Sequence, residues 1–194
     1  LHLRPILDLK TAKGREDFKS ISEESANLVK KYKGSLSGEH GDGRVRASFI
    51  QKMVGEEVYD MFKALKKAFD PKGIFNPGKI VDALPIDQDL RYQPGVKSNG
   101  FIRFSKGDDL LGMSEKCNGS GDCRKESMIG GTMCPSYHAT RNEKDTTRAR
   151  ANVLREVMMD KGQGDWFARS ELKEVMDLCL SCKGCKKECP SNVD

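Results

Sequence analysis

Cys179-Leu180-Ser181-Cys182-Lys183-Gly184-Cys185-Lys186-Lys187-Glu188-Cys189-Pro190 is a C-x2-C-x2-C-x3-C-P run, and it limits the chemistry of this 194-residue chain more tightly than any other stretch. Three thiolates spaced two residues apart on a tight turn can each hold a different iron of a cubane, and Pro190 turns the chain away after the fourth. A structural zinc site is the bland alternative. Zinc, however, usually takes two C-x2-C knuckles well separated in sequence, so that four sulfurs surround one ion. A single compact run suits that geometry poorly, so it points to an iron–sulfur cluster and to electron transfer.

In two-cluster proteins the fourth cysteine of such a run ligates the other cluster, so Cys189 needs partners elsewhere. Upstream, Cys117-Asn118-Gly119-Ser120-Gly121-Asp122-Cys123 and then Met133-Cys134-Pro135 repeat the same grammar, with Ser120 where the second cysteine would stand. The expectation is a crossed arrangement. Cys179, Cys182 and Cys185 with Cys134 hold one [4Fe-4S] cluster, and Cys117 and Cys123 with Cys189 hold another, which uses all seven cysteines. An iron facing a neutral hydroxyl is poorly held, so a [3Fe-4S] cluster is the natural result at the second site; a four-iron cluster with Ser120 as an alkoxide ligand and an empty second site are the alternatives. The C-x5-C spacing resembles the three-iron site of succinate dehydrogenase iron–sulfur subunits, where the final Cys-Pro follows sooner.

The odd cysteine count is awkward for a disulfide framework, and thiolate ligands must stay reduced. This predicts a cytoplasmic protein, or one peripheral at the inner face of the membrane. Mean hydropathy is negative, and no apolar run is long enough to span a bilayer. The net charge of +5 comes from scattered Lys and Arg without aromatic interleaving, which argues against nucleic-acid binding. Lys183, Lys186 and Lys187 could steer an acidic partner or raise a cluster potential. The chain starts within a strand-like alternation and stops just after a motif, as a piece of a longer polypeptide would.

The pattern predicts an α+β protein in two parts. Leu1, Leu3, Leu7 and Leu9 alternate with His2, Arg4, Ile6 and Asp8, the period of a half-buried strand, with Pro5 marking an edge or bulge. From about Arg15 to Lys33, Phe18, Ile21, Leu28, Val29 and Tyr32 recur at helical spacing, and Gly34 ends the helix. The glycine-rich Gly38-Glu39-His40-Gly41-Asp42-Gly43 suits close approach of backbone to a ligand. A second amphipathic helix is expected over Glu56–Phe69, with Val58, Met61, Phe62, Leu65 and Phe69 buried, stopped by Asp70-Pro71-Lys72-Gly73. Residues 1–82 form the first part and 83–109 a linker with at most a short strand near Phe101 to Phe104. In the second part, 110–194, Thr147–Met159 and Ser170–Leu178 read as helices.

At Gly38-Glu39-His40-Gly41 and Asp70-Pro71-Lys72-Gly73-Ile74-Phe75-Asn76-Pro77-Gly78-Lys79 the chain resembles the C-terminal part of FAD-linked oxidases of the vanillyl-alcohol oxidase type. D-2-hydroxy acid dehydrogenases, which act on glycolate, D-lactate or D-2-hydroxyglutarate, are the members it is most similar to. Leu1-His2-Leu3-Arg4-Pro5 looks like the end of their G-x-L-H element. Residues 110–194 resemble a ferredoxin-type extension, mainly α-helical and truncated at its end, following a segment of the oxidase cap domain.

That resemblance implies a divalent ion such as zinc on His2 and Glu39, completed by a histidine that would lie before Leu1. It implies His40 as general base, and Asn76 beside FAD held mainly by a domain outside this sequence. Arg4, on the face of His2 if the alternation is a strand, could bind a substrate carboxylate; Arg4, Arg44 or Arg46 could serve the second carboxylate of a diacid. The implied activity is oxidation of a D-2-hydroxy acid to the 2-oxo acid, with electrons leaving through the clusters to a quinone or carrier protein, in a protein compatible with homo-oligomer formation. A catalytically inactive iron–sulfur carrier or scaffold subunit is the alternative. His138, after Cys134-Pro135, reads as a loop residue.

Overall fold

The computed structural model describes residues 2–96, 102, 104, 108–160 and 165–194. They form two compact units that divide between Gly95 and Val96. In the first, an extended segment leads into helix α1 (Ala12–Lys31), followed by α2 (Gly43–Ala47), α3 (Ile50–Val54) and α4 (Glu56–Phe69). The second holds α5 (Leu110–Glu115), α6 (Pro135–Thr140), α7 (Thr147–Met159), α8 (Ser170–Met176) and α9 (Gly184–Glu188), with 3-10 turns between them.

The start of α1 is set by Thr11, whose hydroxyl accepts from the Gly14 amide at 3.0 Å and donates to the Asp8 carbonyl at 2.9 Å. The entering loop lies so close to the helix that a Cβ on Gly14 would sit 1.9 Å from the Asp8 oxygen. At the other end, Lys33 takes the left-handed conformation at φ +55°. Its amide bonds the Lys30 carbonyl and the Gly34 amide bonds the Val29 carbonyl, a Schellman closure in which Gly34 follows the left-handed residue instead of being it. In α4, Glu56 and Glu57 open the helix and Lys66 and Lys67 close it, both matched to the helix dipole. Beyond it, the buried Asp70 carboxylate accepts from the Ile74 and Phe75 amides and from Lys66 Nζ, which makes the breaker cluster an ordered turn.

Several expectations change. Residues 2–8 form no strand: Leu3 is 63% and Ile6 100% exposed. An alternating segment becomes a strand only where a neighbour offers ladder hydrogen bonds, and none does so here. No strand occurs among the described residues, which are helices, turns and a lone bridge residue, so the β half of the α+β expectation is absent from them. The short strand expected near Phe101 to Phe104 falls largely outside the described residues.

The stripe of α4 is also not buried. Met61 and Leu65 are each 58% exposed and Phe69 81%, while Tyr59 is buried with Ala47 and Ile50, with Phe62 packed against them. Leu28 and Tyr32 of α1 are likewise exposed, and that helix buries Gly14 and Ala26. Helical periodicity shows that a face is apolar; what covers it is a tertiary matter. Residues 83–92 pack onto the first unit. Ile86 is buried, and Arg15 donates to the Asp87 and Tyr92 carbonyls.

In the second unit, α7 and α8 form the core through Leu154, Val157, Leu172 and Val175. Thr146, fully buried, caps α7 by accepting from the Ala149 amide at 2.9 Å. His138 lies within α6, not in a loop, because Pro135 at the first helical turn starts a helix there.

Candidate functional site

Two groups of chemically apt side chains emerge, one in each unit. In the first, the extended segment and the glycine-rich loop bring His2, Glu39 and His40 together, with ligand atoms all within 4.8 Å of one another. His2 Nε2 is 2.5 Å from Glu39 Oε1, and His40 Nε2 is 3.1 Å from the same oxygen. All three are exposed, so the site opens to solvent. The loop is held from the side by Arg46, whose Nε and Nη2 donate to the Gly41 carbonyl at 3.2 and 2.6 Å. Arg44 donates to the Gln88 and Asp89 carbonyls. Both guanidiniums are therefore engaged with main chain, and Arg4, two residues from His2, is exposed. Two imidazoles and a carboxylate suit a borderline divalent ion such as zinc.

Asn76, with φ +46°, lies on the exposed turn after Asp70. It lines an apolar groove with Phe62, Leu65, Phe69, Phe75 and Lys79, formed by the uncovered face of α4.

In the second unit none of the seven cysteines is joined in a disulfide. Cys117, Cys123 and Cys189 line one cavity, and Ser120 lines it with them. Gly119 and Gly121, at φ +79° and +81°, flank Ser120 in the turn between the two upstream cysteines. Cys134 packs with Cys123, Met133 and Tyr137, and Cys185 and Cys189 lie against that cluster. Cys189 also packs against Cys117 and Val193, so it borders both groups. Cys179 and Cys182 are exposed on the loop preceding α9. Burial pushes the Cys123 and Cys185 thiols up, which puts them in a dry setting that a bound metal would convert to thiolate. Seven cysteine sulfurs, three of them lining one cavity, are a donor set of the kind that soft iron–sulfur cores take.

Residues 1–80 match the family described as FAD linked oxidases, C-terminal domain, and residues 116–194 match the 4Fe-4S dicluster domain. The chain joins an FAD-linked oxidase C-terminal domain to a 4Fe-4S dicluster domain. Over the whole chain it is 31% identical to the D-2-hydroxyglutarate dehydrogenases of Escherichia coli K12 and Pseudomonas putida, covering 22% of each. The chain thus spans about a fifth of the length of these curated relatives. A stretch of 71 residues, 35% of the chain and 15% of the relative, is also 34% identical to glycolate oxidase subunit GlcD of Bacillus subtilis. No solved structure matches the chain.

Around the cysteines of the dicluster domain stand groups that the spacing of sulfurs did not reveal. Glu188, inside the C-terminal run, accepts from the Thr132 amide and hydroxyl at Oε1 and from the Met133 amide at Oε2, each at 2.9 Å. It ties the loop before Cys134 to the helix that carries Cys185, and these donors hold its carboxyl below the usual range. Gly131 is required beside it, since a Cβ there would lie 2.7 Å from Glu188 Oε2 at φ +91°. Asp194 receives Lys183 at 2.7 Å and Lys186 at 2.9 Å, so two of the three lysines expected to steer a partner are paired within the fold. The only sequence signal for these roles was an acid standing in or beside a lysine-rich motif.

Among the described residues, no helix of the oxidase domain or the dicluster domain is long and apolar enough to cross a membrane.

Proposed function

We propose that this chain is part of a flavin- and iron–sulfur-dependent dehydrogenase that oxidises a D-2-hydroxy acid, with 2-hydroxyglutarate the best-supported substrate, to the 2-oxo acid. The observation that carries this reading is the convergence of His2 with Glu39, 37 residues away in sequence, and with His40, on a chain that also holds a dicluster cysteine set.

His2 Nε2 and a Glu39 oxygen would hold a divalent ion, and the third protein ligand would come from outside this sequence. His40 stays beside Glu39 at 3.1 Å, which orients its ring. With Nε2 facing the Glu39 carboxylate, the other ring nitrogen, Nδ1, is the one suited to take the substrate hydroxyl proton. Arg4 supplies a guanidinium for a substrate carboxylate, the two nearer-loop arginines being committed to main chain. When bound, the ion would lower the hydroxyl pKa, the flavin would accept hydride, and the clusters would accept electrons singly. For the clusters, Cys134 with Cys179, Cys182 and Cys185 would hold four irons, and Cys117, Cys123 and Cys189 three. The relatives' printed activity and the two matched domains support this reading; the need for reduced thiolates favours a cytoplasmic setting, and the acceptor would be a quinone or carrier protein.

The test is anaerobic turnover of D-2-hydroxyglutarate, D-lactate and glycolate by the full-length protein, with iron and metal analysis. Turnover that prefers the diacid and is lost in H40A supports the proposal. An iron-replete protein that oxidises none of the three would overturn it and leave an electron-carrier subunit.

A further inference from the structure

Two cysteine sulfurs meet the start of α7: Cys123, beside the Arg148 amide and the Thr146 hydroxyl, and Cys134. The Thr147 amide donates to Cys134 Sγ at 3.1 Å, and the Thr147 hydroxyl lies at the same distance. From the next turn, Arg150 Nη1 approaches the sulfur at 3.4 Å. Arg150 is 8% exposed, and its remaining contacts are neutral: Nε donates to the Val175 carbonyl at 2.8 Å and Nη2 to Ser136 Oγ at 2.9 Å. No carboxylate lies within ion-pair distance of it among the described residues. Arg148, two positions earlier and close to the Cys117 and Cys123 pair, is by contrast paired with Glu143 at 2.8 Å.

A buried guanidinium without a carboxylate is costly unless some other negative charge answers it. The group within reach is the Cys134 sulfur, which becomes anionic when it ligates a metal. The amide at the positive end of a 13-residue helix points at the same atom.

We propose that Arg150 and Thr147 are positioning residues that raise the reduction potential of the cluster held through Cys134. The proposal rests on Cys134 being a ligand. Reduction adds negative charge to a cluster and its sulfurs, and fixed donors and a nearby cation stabilise the more negative state more strongly. Removing either donor therefore makes the cluster harder to reduce.

The experiment is a potentiometric titration followed by electron paramagnetic resonance on the anaerobically reconstituted full chain, comparing wild type, R150Q, R150K, T147V and C134A, each with iron and sulfide analysis. R150Q should keep its iron and titrate at a more negative potential. T147V should shift the same way by less, and R150K, which keeps the charge, should lie nearest wild type. Iron-replete R150Q and T147V at the wild-type potential overturn the proposal. Should R150Q fail to assemble, T147V decides alone, and an unshifted T147V overturns it. C134A separates the two levels: loss of one cluster in C134A beside an unshifted R150Q refutes only the tuning, whereas C134A with both clusters intact refutes the ligand assignment too.

Discussion

Replacing Ser120 by cysteine asks the cysteine-lined cavity a direct question. Three cysteines, Cys117, Cys123 and Cys189, share that cavity with Ser120, which sits between two left-handed glycines. A cysteine there needs no change of backbone, because only the γ atom differs. With three sulfurs and a neutral hydroxyl, the second site should hold three irons, and the chain about seven irons in all; with a fourth thiolate the count should rise to about eight. Electron paramagnetic resonance distinguishes the two states. A three-iron cluster is paramagnetic when oxidised, whereas a four-iron cluster of this type becomes so on reduction. Wild-type protein should therefore show an oxidised-state signal that S120C loses, with a second reduced four-iron signal appearing in its place. An S120C protein with wild-type iron content and an unchanged oxidised signal, or a wild-type protein with no oxidised signal, would refute the three-iron reading.

Three further outcomes follow from the packing. G14A, whose new Cβ would meet the Asp8 carbonyl at 1.9 Å, should lower stability by about 1–3 kcal/mol in chemical denaturation, as overpacking against rigid backbone does. L154A removes a buried side chain from the α7–α8 core and should cost about 2–5 kcal/mol, with the loss read in a denaturation of the same kind. Asp70 is held below the usual carboxylate range by Lys66, then against the opposing effect of burial by the Ile74 and Phe75 amides. Its contribution is thus fully present above the unfolded aspartate value of about 3.9 and fades as pH falls through the lower folded value. Melting temperatures measured from pH 7 down to strongly acid solution should show D70N less stable at neutrality, with the gap to wild type closing in acid; a gap independent of pH would refute this.

Much of the chemistry was legible in the sequence because it depends on residue type and short spacing. The C-x2-C-x2-C-x3-C-P run, the Gly38–Gly43 loop, and the helices at Glu56–Phe69 and Thr147–Met159 are written in local pattern, and both helices occur with those bounds. The strand over Leu1–Leu9 was misread because alternation specifies a face, while a strand also needs a neighbour to bond with. Gly34 attracted the helix stop, yet Lys33 took the left-handed position, since closure depends on which amides meet the last free carbonyls.

Ligand-bearing residue types and helix periods were therefore determined by the sequence alone, for they follow from side-chain chemistry and the geometry of a single turn. The tertiary structure decided which distant groups meet: His2 with Glu39, Glu188 with Thr132, Arg150 with Cys134. It also left the apolar stripe of α4 uncovered within its own unit. Such pairings are set by how whole elements pack, and packing depends on every surface that competes to be buried, which no local stretch contains.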